Sequence, residues 1–464
     1  MTQSSRSLDE LRRQIDAAFP AAIETLTQLV NIPSVSWDGF PAEHVQQSAE
    51  YVESRLKNLG LFDNVRIVTE PFASGPGYGQ PAVLARRNPQ PGFPTVLLYA
   101  HHDVQPPGKE EDWDSDPFVP VERDGRLYGR GVADDKAGVV VHLTALETAL
   151  AVLGDDLKIG IAVFIEGEEE FGSRSFTSIL DRHSAMLESD IIVVADSDNR
   201  SVDIPSLTVS LRGNVAFSLT VSTLNHASHS GMLGGAVPDA MMAATTLLAR
   251  LYNDDGTVAV PGLTSHAAAV PDFSRDELVH DSGLKDGVSD IGQGPILSRL
   301  WFQPAISITG IDAPSVHNAS NTLIPSVTVK LSFRIAPGQS ATDAFAAIEA
   351  HLRETVPWGA HLEFGTVDLG NPFLVDASGS AATLELEALR DAWDGADPVM
   401  VGVGGSIPFV ADLVDRFPTA QILITGVEDP QSRAHSPNES LSLTVLRRAM
   451  LAETLFLVRL NDRD

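Results

Sequence analysis

TVLLYAHHD, residues 95–103, places a mostly apolar run directly before two histidines and an aspartate. The same arrangement recurs three times: residues 157–165 precede Glu166, residues 190–195 precede Asp196, and residues 420–425 precede a turn that leads to His435. Apolar residues occupy both alternation phases of these runs, as expected for strands buried on both faces of a parallel sheet. A helix predicted over residues 137–153 separates the first two runs. The sequence therefore predicts an α/β domain with a mostly parallel sheet.

The middle of the chain has a different pattern. Strands are predicted at residues 206–221, 306–311, 327–335 and 361–367, and helices at residues 238–251 and 341–354. Two helices among about four strands are typical of a separate α+β domain inserted in the first. We therefore expect one domain from residues 1–205 and 372–464, and an inserted lid or dimerisation domain over residues 206–371.

The charge balance limits the classes of partner. The 464 residues include 32 Lys and Arg against 62 Asp and Glu, which gives a formal charge of −30. Such a surplus repels phosphate backbones and anionic membrane surfaces, so neither nucleic acid nor a membrane is an expected partner.

Cysteine usage and the first residues bear on location and on metal chemistry. The chain has no cysteine, so a metal site must use His, Asp and Glu. Residues 1–20 mix arginines with acidic residues and lack the apolar core of a signal peptide. No apolar run approaches the ~18 residues of a membrane span. We expect a cytoplasmic protein.

Side chains that can bind metal follow the predicted strands. In an open parallel sheet, ligands bind beyond the carboxyl ends of the strands. His101, Asp103, Glu169, Glu170 and Asp196 come shortly after such strands. Carboxylates that converge on one crevice repel one another unless cations neutralise them. Each of these residues alone has an ordinary explanation, as a structural histidine, part of a solvated acidic loop or a helix cap. Their joint placement after the strands is what predicts a metal site.

Six motifs, in order along nearly the whole chain, resemble the di-zinc metallopeptidase family that includes carnosinase, cytosolic non-specific dipeptidase, carboxypeptidase G and aminoacylase. They are YAHHDV at 99–104, LYGRGVADDK at 127–136, EGEEEFGS at 166–173, ADS at 195–197, SHSG at 228–231 and AHSPNE at 434–439. The resemblance implies an α/β catalytic domain that carries an inserted domain.

The resemblance also implies a role for each matched residue. One metal is bound by His101 and Asp196, the other by Glu170 and His435, with Asp134 bridging both, Asp103 hydrogen-bonded to His101, and Glu169 as the general base. Asp198 is a rival of Asp196 for its ligand position. The two divalent ions are expected to be Zn²⁺, with Mn²⁺ or Co²⁺ as alternatives, because His and carboxylate ligands accept all three. A water that bridges the metals would be the nucleophile.

Substrate contacts follow from the same resemblance. His229 is expected to reach the active site of a partner subunit, which implies a homodimer joined through the inserted domain. Arg334 is expected to bind the substrate carboxylate, since a guanidinium suits a bidentate contact. Further contacts are expected from Asn321, Thr322, Gly405 and Ser406.

The expected reaction is hydrolysis of the peptide bond in a dipeptide or short peptide with a free C-terminal carboxylate. The long segment 253–303 resembles the dipeptidase branch and is absent from the smaller deacylases. The alternative within enzymes is an N-acyl-amino-acid deacylase with the same metals. The alternative from another class is a binding protein that has kept the fold, which the retained Glu169 argues against.

Overall fold

The computed structural model describes residues 7–267, 270–271, 273–375, 377–403 and 408–463. The α-helices of the described chain are α1 Leu8–Val30, α2 Ala42–Asn58, α3 Lys136–Leu153, α4 Phe176–Arg182, α5 Ser184–Leu187, α6 Ser230–Leu233, α7 Ala240–Ala249, α8 Arg275–Ser282, α9 Ile296–Trp301, α10 Ala341–Thr355, α11 Ser380–Ala392, α12 Pro408–Arg416 and α13 Leu443–Asn461.

The strands are β1 Asn64–Val68, β2 Ala82–Arg87, β3 Thr95–His101, β4 Val121–Arg123, β5 Arg126–Tyr128, β6 Gly160–Glu166, β7 Ile191–Val194, β8 Ser206–Leu211, β9 Gly213–Ser222, β10 Ser228–His229, β11 Ala305–Asp312, β12 Thr322–Leu323, β13 Ser326–Ile335, β14 His361–Gly370, β15 Phe373–Leu374, β16 Val399–Val403, β17 Gln421–Ile424 and β18 Ser440–Ser442.

The chain divides into two compact units. The first comprises Met1–Val209, Val375–Val401 and Asp412–Asp464, and the second comprises Ser210–Leu374 and Gly402–Ala411. The bounds expected from the sequence, at residues 205/206 and 371/372, lie a few residues away. The segment Gly402–Ala411 groups with the second unit, whereas the sequence placed it in the first.

The central sheet of the first unit runs in the order β1-β2-β6-β3-β7-β17-β8. Its four middle strands are parallel, and the pairs on either side of them are antiparallel. Every residue of β3 and β6 is buried, which explains why these runs lack alternation. The predicted α/β fold with parallel strands at the centre of its sheet is confirmed.

Helices α1, α3, α11 and α13 pack against one another in the core of the first unit. The sequence-based expectation that no apolar segment reaches the length of a membrane span is wrong. The segment Lys136–Asp156 is long and apolar enough to cross a membrane by length and composition alone. Its most apolar window is 72% buried inside the unit. Burial of this kind is typical of the core helix of a globular domain, since a helix that is apolar all round must be covered.

The second unit contains a four-stranded antiparallel sheet in the order β11-β13-β9-β14. Strand β9 alternates buried and half-buried residues along its length, and helices α7 and α10 pack against the sheet. The predicted helices and strands of this region are found within a few residues, with one exception. Residues 206–221 form two strands rather than one, and Gly213 begins the second. A Cβ at Gly213 would lie 2.6 Å from Ile335 and 2.7 Å from the Gly370 carbonyl, so only glycine fits this close approach.

Candidate metal centre

His101 ends the buried strand β3 and is itself fully buried. Its backbone N–H donates to Asp135 at 3.1 Å, and its Nδ1 lies 3.1 Å from the Asp103 carbonyl oxygen. Within the described chain, its Nε2 makes no hydrogen bond. A buried nitrogen without a partner is costly, and a metal ion would satisfy it.

The first group of candidate ligands is His101, Asp134 and Asp196. Nε2 of His101 lies 3.2 Å from Oδ1 of Asp134 and 3.8 Å from Oδ1 of Asp196. Burial alone would lower the pKa of His101, but the carboxylates of Asp103, Asp134 and Asp196 outweigh it and raise this pKa well above its ordinary value. The environment therefore favours positive charge at the position that a divalent cation would take.

The second group is Asp134, Glu170 and His435. Nε2 of His435 lies 2.9 Å from Oδ2 of Asp134 and 3.3 Å from Oε2 of Glu170. In both groups the ligand atoms lie within 4.8 Å of one another. Because Asp134 presents one oxygen to each histidine, it is the member that the two groups share.

The loop that carries Asp134 is fixed by the buried carboxylate of Glu439. One oxygen accepts hydrogen bonds from the N–H groups of Ala133 and Asp134 at 3.0 and 3.2 Å. The other accepts from the Arg130 guanidinium at 2.6 Å and from the Gly131 N–H at 3.0 Å. The peptide bond between Asp134 and Asp135 is cis.

Asp103 positions the two glutamates more directly than it positions His101. Its carboxylate oxygens accept the backbone N–H groups of Glu169 and Glu170, each at 3.1 Å. The Ser36 hydroxyl donates to it at 2.6 Å. Its Oδ1 lies 3.4 Å from Nδ1 of His101, whereas that nitrogen is 3.1 Å from the Asp103 backbone carbonyl. The sequence had assigned Asp103 to His101 alone.

Glu169 lies beside the first ligand group without belonging to either. Its Oε2 is 4.0 Å from Nε2 of His101, and its side chain is 18% exposed. Burial raises the pKa of Glu169 well above its ordinary value, and the nearby carboxylates of Asp196 and Asp103 add to this effect. A carboxyl group with a raised pKa that lies next to candidate metal ligands can take up and release a proton near neutral pH.

Two residues within the matched motifs have structural partners. The carboxylate of Glu168 is buried and accepts hydrogen bonds from the Ser175 backbone and from Arg174. His102 lies with Nε2 2.9 Å from the Pro81 carbonyl oxygen, and burial lowers its pKa to about 4. These contacts account for both residues without a role in binding metal.

The substrate residues expected from the sequence lie in the second unit or outside the described residues. His229 is exposed and pairs with Thr322 in a short antiparallel ladder, in which the Asn321 carbonyl accepts the Ser230 N–H. Arg334 lies in β13 opposite Ala305 and Asn214. Gly405 and Ser406 lie outside the described residues.

Two residues near the ligand groups were not assigned from the sequence. Glu439 belongs to a matched motif, three residues after Ser436. Nothing in the neighbouring sequence indicates that its side chain holds the loop at Asp134. Glu428 lies in no matched motif, yet its carboxylate interacts with those of Asp134, Asp196 and Asp198. Both residues lie close to groups that are distant in the sequence, and such contacts cannot be predicted from local sequence patterns.

An α/β domain with parallel strands at the centre of its sheet, and two groups of candidate His and carboxylate ligands that share Asp134, is typical of a metallohydrolase with a dinuclear centre. The chain belongs to peptidase family M20/M25/M40, whose model matches residues 97–458.

Curated relatives share this family. The chain is 33% identical to a cysteinylglycine-S-conjugate dipeptidase of Corynebacterium striatum over 421 residues, which cover 90% of each chain. It is 28% identical to a Beta-Ala-His dipeptidase of Rattus norvegicus, over 94% of this chain and 92% of that one. The structure of the dipeptidase Dug1p from Saccharomyces cerevisiae shares the fold, with a TM-score of 0.81 and 24% identity over 99% of both chains. The predicted resemblance to the dipeptidase branch of a metallopeptidase family is confirmed.

Proposed function

We propose that this protein is a metal-dependent dipeptidase that hydrolyses unblocked dipeptides or short peptides with a free C-terminal carboxylate. The observation that carries the proposal is the shared Asp134, which joins two ligand groups beside Glu169. The names of the relatives from C. striatum and R. norvegicus, matched over nine-tenths of the chain, support the substrate class.

We propose that His101 and Asp196 hold one divalent ion, that Glu170 and His435 hold the other, and that Asp134 binds both. The ligand set of imidazole and carboxylate fits Zn²⁺, and it also accepts Mn²⁺ or Co²⁺. When bound, the two ions would activate a bridging water and polarise the scissile carbonyl. The Nε2 of buried His101 faces the carboxylates of Asp134 and Asp196 and makes no hydrogen bond with any described residue, which supports an ion at the first group.

Glu169 is the proposed general base. It would take a proton from the attacking water and return it to the leaving amine. Its backbone is held by Asp103 at 3.1 Å, and its side chain remains outside both ligand groups, so its oxygens stay available for proton transfer. Asp103 is a positioning residue in this scheme, because it orients Glu169 and Glu170 together.

Arg334 is the proposed contact for the substrate carboxylate, with Asn321, Thr322, Gly405 and Ser406 as further contacts. Arg334 pairs across the sheet with Asn214, two residues after Arg212, and burial together with the charge of Arg334 lowers the pKa of Arg212 to about 10. A guanidinium group can bind a carboxylate through two parallel charge-assisted hydrogen bonds. A planar bidentate contact explains why arginine rather than lysine suits this role.

We further propose a homodimer formed through the second unit, in which His229 serves the active site of the partner subunit. Strand β11 supports this proposal, because it lies at the edge of its sheet and most of its residues are exposed, including Ile308 and Ile311. An exposed edge strand with apolar side chains is a ready surface for pairing with a second copy.

Subunit mixing tests the dimer proposal. Inactive His229→Ala chains mixed with inactive Glu169→Gln chains should recover part of the activity, because each hybrid dimer has one site with both groups intact. A mixture that exchanges subunits but stays inactive would remove His229 from the partner's site. The cytoplasmic location expected from the sequence stays a prediction.

The competing enzyme is an N-acyl-amino-acid deacylase with the same metals, since both reactions use a metal centre and a carboxylate-bearing substrate. A kinetic screen of dipeptides and N-acyl amino acids on the metal-reconstituted protein separates them. The dipeptidase proposal expects higher kcat/KM for free dipeptides. A clear preference for N-acyl amino acids would favour the deacylase, and the absence of turnover on either would favour a binding protein.

A further inference from the structure

The carboxylate of Glu170 is held by Gln105 on both of its oxygens. The Gln105 backbone N–H donates to Oε1 at 3.2 Å, and the side-chain amide donates to Oε2 at 2.6 Å. A carboxylate only accepts hydrogen bonds, so the amide nitrogen rather than the amide oxygen faces Glu170. The same Oε2 lies 3.3 Å from Nε2 of His435. One glutamine therefore fixes the orientation of a carboxylate that belongs to the second ligand group.

The two adjacent glutamates differ in these side-chain contacts. Asp103 accepts the backbone N–H groups of both Glu169 and Glu170. The Glu170 side chain also accepts the two hydrogen bonds from Gln105, whereas Oε2 of Glu169 lies 4.0 Å from Nε2 of His101, which is beyond hydrogen-bond distance. A carboxylate held on both oxygens suits a fixed ligand. Gln105 thus distinguishes the proposed ligand from the neighbouring proposed base.

The backbone that carries Gln105 is itself held in place. Gln105 precedes Pro106, and a residue before proline is restricted to extended conformations. Val104 is fully buried, forms an isolated parallel bridge with Val35, and donates its N–H to the Ser34 carbonyl at 3.1 Å. These contacts do not involve Glu170, so the amide can orient the carboxylate before any ion binds.

The contacts matter for metal binding because an ion needs a ligand that already points at it. A carboxylate that turns freely must be ordered when the ion binds, and this ordering lowers the affinity. Loss of hydrogen bonds to a ligating side chain typically reduces metal affinity or activity by about 10- to 100-fold. The hydrogen bonds of Gln105 go to Glu170, which belongs to the second ligand group and not to the first. The effect should therefore be confined to the ion of the second group.

We infer that Gln105 is a positioning residue that sets the affinity of the second ligand group for its ion and leaves the first group unaffected. The inference rests on the proposed function, since it requires Glu170 to bind metal. It goes beyond that proposal by naming a neutral side chain, outside both ligand groups, that makes the two ions unequal.

Gln105→Leu tests the inference, because it removes the amide and keeps a side chain of similar size. Titration of the metal-free protein with Zn²⁺ against a chromophoric chelator should show one ion bound as in the wild type. The other ion should be bound about 10- to 100-fold more weakly. Saturating metal should restore kcat to within about threefold of the wild type, because the amide is not the proton carrier.

Two ligand variants identify which ion is weakened. Asp196→Asn removes a ligand of the first group, and His435→Ala removes a ligand of the second. Adding Gln105→Leu to Asp196→Asn should weaken binding of the remaining ion by about 10- to 100-fold. Adding it to His435→Ala should leave the affinity for the remaining ion within about threefold.

Gln46→Leu is the control variant, because it removes a glutamine amide that donates to the Glu50 carboxylate at 2.9 Å on the surface of α2. It should leave the affinity for both ions unchanged, and its metal-free form should have the same urea midpoint as Gln105→Leu. Gln105→Asn carries its amide on a side chain one methylene shorter and should also weaken the second ion. It provides a second variant if Gln105→Leu folds poorly.

The inference is overturned if the variants at Gln105 weaken both ions equally, weaken neither, or weaken the ion that remains in His435→Ala. A lower urea midpoint together with equal weakening of both ions would assign Gln105 a merely structural role. The wild-type titration tests the proposed function separately. A wild type that binds fewer than two ions contradicts the proposed metal centre itself, whatever the variants do.

Discussion

The carboxylate of Glu439 accepts a hydrogen bond from the backbone N–H of Asp134 at 3.2 Å, although 304 positions lie between the two residues in the chain. The same carboxylate forms an ion pair with Arg130 at 2.6 Å, and both of these side chains are buried. A single acidic side chain from the C-terminal part of the chain thus holds the loop that presents Asp134, the candidate ligand common to both groups.

Glu439→Gln should destabilise the protein and weaken metal binding together. Removing one partner of a buried ion pair costs about 3 to 5 kcal/mol, because the charge of Arg130 is left without compensation. Urea denaturation of the metal-free protein and elemental analysis of the reconstituted protein would measure the two effects. Glu387→Gln, at an exposed position on α11 of the same unit, is the control, and equal stability of Glu439→Gln and this control would contradict the prediction.

The shared position of Asp134 predicts an asymmetry between ligand variants. Asp134→Asn should lose both ions, because the residue belongs to both groups, whereas His435→Ala should lose chiefly the ion of the second group. Glu169→Gln should keep both ions and lose at least about 100-fold in kcat, since the proton carrier is removed while the ligands remain. Loss of both ions in all three variants would show that the two groups are not distinct sites.

Asp103→Asn should reduce metal affinity and kcat, although Asp103 is outside both ligand groups. The two N–H groups of Glu169 and Glu170 bond to different oxygens of Asp103, and an asparagine amide has only one acceptor oxygen, so one of these N–H groups would lose its acceptor and face an NH2 group. Loss of such supporting contacts typically costs about 10- to 100-fold in metal affinity or activity. Ser36→Ala removes one donor to the same carboxylate, and its effect should be much smaller. Equal effects of the two substitutions would argue against the positioning role.

Arg334 should determine recognition of the C-terminal carboxylate. Converting that carboxylate of a dipeptide to an amide should lower kcat/KM by about 100-fold or more in the wild type, because the charge-assisted contact between Arg334 and the substrate is lost. Arg334→Ala should abolish most of that discrimination. Arg353→Ala, which removes an exposed arginine on α10 of the same unit, should retain it. Discrimination that survives in Arg334→Ala would assign the carboxylate to another residue.

Stability should fall with rising pH because of Glu385. This side chain is 3% exposed, and burial, together with the charge of Glu453, raises its pKa to about 8. Between pH ~4.5 and 8 the folded state keeps a proton that the unfolded state releases, so the free energy of unfolding decreases across this window.

Glu385→Gln removes this titration and should gain stability relative to the wild type as the pH rises, by roughly 4 kcal/mol at pH 8. Urea denaturation at several pH values would measure it. Glu387→Gln, at an exposed position on the same helix, should follow the wild-type curve. Parallel curves for wild type and Glu385→Gln would show that Glu385 does not titrate in this window.

The sequence by itself determined the α/β class, most helices and strands, and the set of ligand candidates. These features are local: buried parallel strands lack alternation, as in β3 and β6, and the polar residues that follow them must lie at one edge of the sheet. The family resemblance could also be read from short motifs, because each is contiguous in the chain.

The tertiary structure decided which groups meet. The break between β8 and β9 follows from the close approach of Ile335 and Gly370 to Gly213, which residues 206–221 alone do not show. The partners of Asp103, the support of Asp134 by Glu439 and the place of Glu428 beside Asp198 all join residues that are distant in sequence or held by backbone hydrogen bonds. Such contacts depend on the folded path of the chain, because a residue's own sequence neighbours fix its local conformation but not the groups that fold against it.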